Sequence, residues 1–332
     1  MTHVIGKRRA RLRQQLLALI RDVVSQEELE AQIDHLLAEV LEDAPLALPE
    51  RLAIDDEDED QRIVVTGMGL VTPFGIGIEP FWEGLAAGRS AVGPMTLADP
   101  TNYPCQVAAE VKGFEPREYM DFKEARRMSR SCQFAVAAAR MAVQDANLTL
   151  DDGSRDHIGV LIGCGTTSMP DSEQAMRTLI EKGGMKVSPF FIPASLPNMP
   201  ACQVAIQLGL RGYTSAVCTA CAAGAQAIGE AAAAIQRGEA EVMLAGGTEA
   251  PISQLSLAGF SVMRALTGRN DEPQRASRPF DVERDGFVPA EGAGVLVLER
   301  LSSARRRGAR IYAELLGYGS SCDAYHVTAP DP

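Results

Sequence analysis

Two cysteines stand three residues apart in Ser215-Ala-Val-Cys-Thr-Ala-Cys-Ala-Ala-Gly-Ala-Gln226, between a β-like run and an alanine-rich segment. Three chemistries fit that spacing: a redox pair, half of a metal site, or a nucleophile at the start of a helix. Zinc needs four ligands, and no second Cys or His pair lies at a suitable spacing. A thioredoxin-like pair would follow the first strand of its domain, and this one comes much later. Two buried cysteines acting as small apolar side chains are a further alternative. The nucleophile reading has the fullest physical rationale. Cys221 follows the β-like run Thr214 to Val217 and precedes a helix expected from Ala222. A thiol there meets unpaired N–H groups and the positive end of the helix dipole, which favour thiolate. The same N–H groups can hold an oxyanion when the thiol attacks a carbonyl. Ala222, Ala223 and Gly224 keep the approach open, and Cys218, still in the strand, reads as structural.

A thiolate working on carbonyls needs polar help, and the chain has four histidines. His3 and His35 lie in an N-terminal helical stretch, and His157 sits in a polar turn before a strand. His326, in Asp323-Ala-Tyr-His-Val-Thr-Ala-Pro330, follows a strand and a Gly317-Tyr-Gly319 turn. Loops after strands are where α/β sheets place their sites.

The elements that must position these groups begin near Arg62. Apolar runs of strand length are Ile63-Val-Val65 (ending at Gly67-Met-Gly69), Ile158 to Ile162, Val242 to Ala245, Gly294 to Leu298 and Ile311 to Leu315. Helical stretches fall between them, one over roughly residues 124–146 and one over roughly 222–237. The alternation predicts a mostly parallel sheet with helices packed on it. Gly67-Met-Gly69 lacks the third glycine of a dinucleotide loop, because Thr72 stands at that place. Gly163-Cys-Gly165 reads as a turn.

Residues 1–61 form a separate helical extension with an acidic linker. Two amphipathic stripes, Leu12 to Val24 and Leu29 to Leu41, precede Asp55-Asp-Glu-Asp-Glu-Asp60. A net charge of −12 excludes nucleic acid as a bulk partner. No apolar run is long enough to span a membrane, and the N-terminus lacks the pattern of a secretory signal. Seven scattered cysteines read as reduced thiols of a cytoplasmic protein.

Several stretches, in order, resemble the β-ketoacyl-acyl carrier protein synthases, the condensing enzymes of the thiolase superfamily. They are Arg62 to Gly75, Thr219-Ala-Cys221 with its small-residue helix, Met243-Leu-Ala-Gly-Gly-Thr-Glu249, Ser277 to Val288, Glu291-Gly-Ala-Gly294 and Asp323-Ala-Tyr-His326. The likeness is closest to the discrete, elongating bacterial type. It implies a thiolase-like, layered αβαβα fold of the α/β class, normally dimeric, and ping-pong acyl transfer. Cys221 would take an acyl chain from acyl carrier protein, and malonyl-carrier protein would then condense with loss of carbon dioxide. His326 would hydrogen-bond the malonyl thioester oxygen, Thr328 would sit near the pantetheine arm, and Phe260 would line the acyl tunnel. The Cys221 N–H would be one oxyanion donor. Lys123, Arg126, Arg127 and Arg130, with Arg264 and Arg269, would dock the acidic carrier. No cofactor is implied beyond the carrier's phosphopantetheine arm.

The family is an internal duplication. The resemblance therefore divides the chain into residues 1–61, an N-terminal ketosynthase half at 62–300, and the start of a C-terminal half at 301–332. The sequence ends just beyond the first catalytic histidine, so the C-terminal half is expected to be truncated. The family's second histidine, its lysine-bearing segment and its closing glycine-rich turn do not occur in these residues. Activity is expected to need a complementing half from a separate chain, in a homo- or heterodimer. The alternative is a non-catalytic partner or scaffold, or an inactive fragment.

Overall fold

The computed structural model describes residues 59–166, 168–329 and 331. The two helices expected near the N-terminus lie outside the described residues. The described residues belong to one compact unit, Glu59–Pro332.

The first strand, β1, spans Ile63–Thr72 and so runs straight through the Gly67-Met-Gly69 stretch expected to end it. The reason is steric. A long helix crosses β1 so closely that a Cβ at Gly69 would lie 1.9 Å from the Ala138 carbonyl oxygen, and one at Gly67 would lie 2.4 Å from that of Ala142. The two glycines admit a helix to the sheet. A two-residue strand β2 (Gly75–Ile76) and helix α1 (Ile78–Ala86) follow. A small hairpin of β3 (Gly93–Pro94) and β4 (Val107–Ala108) stands apart from the main sheet. A short helix α2 (Phe122–Ala125) then leads into α3 (Arg130–Asp145), the helix that crosses β1. The single helix expected over 124–146 is thus broken at Ser129, whose side chain caps α3 by accepting from Cys132 N.

The main sheet continues with β5 (Ile158–Gly163), β6 (Thr214–Val217), β7 (Val242–Glu249), β8 (Gly292–Arg300) and β9 (Ala313–Leu315). Its order is β2-β1-β8-β7-β5-β6, with β9 also on β1. Strand β9, assigned by the sequence to the start of a second half, therefore extends this same sheet at Ile63 to Val65. Between β5 and β6 lie α4 (Met169–Lys182), α5 (Phe191–Ser195) and α6 (Met199–Leu208). Helix α7 (Ala223–Gln236) joins β6 to β7, α8 (Gln254–Val262) lies between β7 and β8, and α9 (Leu301–Arg306) follows β8.

Strands β5, β6 and β7 pair in parallel, whereas β8 runs antiparallel to both β7 and β1. The sheet is therefore mixed, not mostly parallel. Glu249 at the end of β7 pairs with Gly292 at the start of β8. The chain between them leaves and re-enters at one edge, so no crossover is needed and the strands oppose.

Alternation along the strands sorts the core onto two faces. Ile158, Val160, Ile162, Leu244, Val295 and Val297 pack with α3 and α6, where Phe134 and Ala135 to Ala139 are fully buried. Leu161, Met243, Ala245 and Leu298 face the other way, onto Ala227, Ala231 and Ile235 of α7. The alanine-rich helices let backbone and sheet approach on both sides.

Candidate functional site

The parallel strands finish at one edge, where β5 and β6 end level and β7 runs two residues further. Gly163 is the register partner of both Val217 and Gly247. The loops after β5, β6 and β7 therefore open at one edge, where an α/β sheet collects functional groups. The start of β8 lies at this edge too, because Gly247 pairs with Gly294.

Cys221 sits in a 3-10 turn, Ala220–Ala222, directly before α7. Both Cys221 and Cys218 are exposed free thiols. Cys218 lies just past the last residue of β6, and its Sγ is 3.7 Å from the Gly165 carbonyl oxygen. It lies one residue outside the strand that was expected to include it. Ala220 holds a left-handed φ of 47°, a conformation that costs an L-residue roughly 1–2 kcal/mol. Three glycines bring this turn onto the sheet. A Cβ on Gly163 would lie 2.2 Å from the Ala223 carbonyl oxygen, and one on Gly247 would lie 3.0 Å from Gly224 Cα. The first turn of α7 therefore rests on the ends of β5 and β7.

Cys221 opens into a cavity of about 670 Å³. Its wall includes Met95, Ile252, Leu257, Phe260 and Phe287. Phe260 and Phe287 meet edge to face, with ring centroids 5.2 Å apart. The lining is apolar over most of its extent, which suits a hydrocarbon chain. The structure thus brings Cys221 and Phe260 to one cavity.

Two carboxylates border it. Glu249 Oε2 accepts from Gly165 N at 2.7 Å and Thr166 N at 3.0 Å, and its Oε1 accepts from the Thr166 hydroxyl at 2.8 Å. Glu291 accepts from Val111 N at 2.9 Å and from both arms of Arg130 at 2.8 Å. Beneath the site, burial and then the charge of Glu249 push the Cys164 thiol up to about 12. Burial pushes Cys132 up to about 11. The sequence reading had no role for Glu249, Gly165 or Thr166. The available signal was their place at the ends of parallel strands.

His326 and Thr328 do not line this cavity. They lie together in the exposed C-terminal stretch, where His326 Nδ1 accepts from Thr328 N and Ala329 N, each at 3.1 Å. A ring nitrogen that accepts carries no proton, so neutral His326 keeps its hydrogen on Nε2.

The basic residues are not equivalent. Lys123, Arg126 and Arg127 are exposed around α2. The Arg126 guanidinium lies 5.7 Å from the Phe122 ring centroid, and that of Arg127 lies 5.2 Å from Phe190. Arg127 also pairs with Glu124 at 2.8 Å. Arg130 is turned inward onto Glu291. Arg269 donates to the Glu283 carbonyl at 2.9 Å and lies 3.8 Å from Asp285, and Arg264 is exposed with φ 55°. Among the described residues no cluster of His, Cys, Asp and Glu is arranged to hold a metal, and no helix is long and apolar enough to cross a membrane.

Residues 60–304 match the family pattern described as β-ketoacyl synthase, N-terminal domain. The chain is 48% identical over 274 residues to 3-oxoacyl-acyl-carrier-protein synthase 2 of Synechocystis, covering 82% of this chain and 66% of that relative. The synthase of the same name from Staphylococcus aureus gives the same identity and coverage. Among solved structures, a β-ketoacyl synthase from Burkholderia phymatum aligns at 37% identity with a TM-score of 0.72, over 81% of this chain and 66% of that one. A type II polyketide ketosynthase solved in complex with its acyl carrier protein, and bound to the hexaketide, aligns at 37% identity with a TM-score of 0.66, over 80% and 64%. The chain thus spans 66% of the length of the curated relatives it matches.

Proposed function

The chain belongs to the β-ketoacyl synthase family, and from that premise we propose that Cys221 is the acyl-accepting nucleophile of a condensing reaction in fatty acid or polyketide elongation. In the loading step the Cys221 sulfur attacks the carbonyl of an acyl thioester on the phosphopantetheine arm of acyl carrier protein. A new S–C bond forms, and the carrier's thiol leaves with the proton. In the condensing step malonyl-carrier protein loses carbon dioxide. Its C2 carbanion then attacks the Cys221 thioester, forming a C–C bond and releasing the Cys221 thiolate.

The observation that carries this reading is the position of Cys221. It sits on a strained turn beside the C-terminal ends of three parallel strands and opens into an apolar cavity. Phe260 lines the acyl path. His326, with its proton on Nε2, is suited to donate to the malonyl thioester oxygen, and Thr328 beside it is proposed to meet the pantetheine arm. Lys123, Arg126 and Arg127, with Arg264 and Arg269, form the proposed docking surface for the acidic carrier. Arg130, named with them from the sequence, is assigned to supporting the site through Glu291. The protein is proposed to act in the cytoplasm as a homo- or heterodimer. Elongation, unlike loading, is proposed to draw on groups outside these residues, such as a separate chain supplying the family's C-terminal half.

Incubation with acyl-carrier protein, followed by intact mass, tests this. An acyl adduct lost in Cys221→Ala supports loading, and a chain-extended product that appears only when a C-terminal half is supplied supports complementation. No adduct under either condition leaves a scaffold or partner role.

A further inference from the structure

Glu249 has a place in the site that the reaction as described does not use. It ends β7, lines the same cavity as Cys221, and turns its carboxylate onto the loop that follows β5. Every hydrogen bond it accepts from a described residue comes from residues 164–166: the backbone N–H groups of Gly165 and Thr166, the Thr166 hydroxyl and, at 3.6 Å, the Cys164 thiol.

What this loop touches gives the carboxylate its consequence. A Cβ placed on Gly165 would lie 3.0 Å from the Ala220 carbonyl oxygen and 3.1 Å from Glu249 Oε2. The face of Gly165 where a side chain would stand is therefore closed by both the Glu249 carboxylate and the peptide unit that joins Ala220 to Cys221. That peptide carries the Cys221 N–H, and its Ala220 end has the left-handed φ of 47°. Such a conformation persists only where surrounding structure holds it. The carboxylate fixes Gly165, Gly165 backs the Ala220 carbonyl, and the carbonyl sets which way the Cys221 N–H points.

We propose that Glu249 is a positioning residue for Cys221, which it serves by bracing the Ala220–Cys221 peptide through Gly165 and Thr166. The inference rests on Cys221 being the acyl-accepting thiol. It says that the brace governs the rate of acyl transfer and not the affinity for the donor. The apolar wall that binds the acyl chain, Phe260 and Leu257 among it, belongs to other elements. Glutamine at position 249 can keep its carbonyl oxygen on both N–H groups and turn its NH₂ onto the Thr166 hydroxyl oxygen, so it preserves the brace, whereas alanine removes all three bonds. Thr166→Val removes the hydroxyl contact alone and leaves both N–H bonds in place.

The test is single-turnover loading of the full chain from a soluble acyl-phosphopantetheine thioester, read by intact mass over a range of donor concentrations. For Glu249→Ala the saturating rate should fall on the order of 10- to 100-fold, as for a misplaced reacting group, with the half-saturating concentration unchanged, and Glu249→Gln should restore most of it. Thr166→Val should keep most of the rate. An unaltered saturating rate in Glu249→Ala overturns the proposal, as does a loss confined to the half-saturating concentration. Thermal unfolding identifies a variant that has simply lost its fold, in which case Glu249→Leu, which fills more of the space but accepts no hydrogen bond, decides. If the unaltered chain takes up no acyl group, the functional reading fails separately. The brace is then read from iodoacetamide alkylation of Cys221 relative to the exposed Cys322. A several-fold shift of that ratio in Glu249→Ala supports the brace, and an unchanged ratio overturns it.

Discussion

Arg130 and Glu291 form a two-pronged ion pair at the edge of the cavity, Nε to Oε2 and Nη2 to Oε1, each at 2.8 Å. The Glu291 side chain is 1% exposed and that of Arg130 is 33% exposed. Arg130 also donates to the Val111 carbonyl, and Glu291 accepts from Val111 N. The pair ties the start of α3 to the segment entering β8. Removing Arg130 leaves the buried Glu291 carboxylate without its cation, and Arg130→Ala is expected to cost roughly 3–5 kcal/mol. Urea unfolding followed by circular dichroism measures it.

The same pair separates Arg130 from its basic neighbours. Charge reversal at Lys123 or Arg126 should weaken capture of an acidic carrier protein several-fold at low salt. The difference should fade as ionic strength rises and screening shortens the reach of exposed charges. Arg130→Ala should instead lower the unfolding midpoint. Carrier binding measured at two salt concentrations, beside thermal melts, tells the two behaviours apart.

Gly163 makes a sharper steric demand. Its missing Cβ is what lets the first turn of α7 reach the sheet, with the Ala223 carbonyl oxygen 2.2 Å from where that carbon would stand. Gly163→Ala is expected to destabilise the chain by about 1–3 kcal/mol through overpacking. It should also slow modification of Cys221 by an acyl thioester, because the helix that directly follows that residue must move. Denaturant melts and adduct mass check both effects on one preparation.

Alkaline pH should erode stability. In the folded chain the Cys164 thiol is pushed up to about 12 and that of Cys132 up to about 11, from an ordinary value of 9.0. The native state holds these protons where the unfolded chain releases them. The thiols' contribution is therefore intact below about pH 9 and is lost as pH rises toward the folded values. The urea midpoint should fall between about pH 8 and about pH 10.5, and less so in Cys164→Ala. Near neutral pH, iodoacetamide should label the exposed Cys218, Cys221 and Cys322 well before buried Cys164 and Cys132.

The residues themselves made much of this legible. Five strands and two alanine-rich helices are readable because apolar alternation and small-residue runs are local signals. The nucleophile segment is readable because Cys221 stands between a strand and a helix. The rest depends on contacts between distant segments. Gly67-Met-Gly69 looks like a strand end until Ala138 and Ala142 are known to lie against it. The reversal of β8 follows from where residues 250–291 leave and rejoin the sheet, which no periodicity encodes. Arg130 looks like its basic neighbours until Glu291, far along the chain, turns it inward. Glu249 stands within the stretch Met243 to Glu249, but its hydrogen bonds run to Gly165 and Thr166, distant in the chain and joined to it only by the sheet.

The central claim is that the Cys221 sulfur carries an acyl chain as a thioester. The most direct measurement is the intact mass of the purified chain after incubation with acyl-carrier protein, with peptide mapping of the product. The account predicts one acyl group per chain, located on the peptide containing Cys221, removed by hydroxylamine and absent from Cys221→Ala. An unmodified chain, or an acyl group that persists in Cys221→Ala, would contradict it.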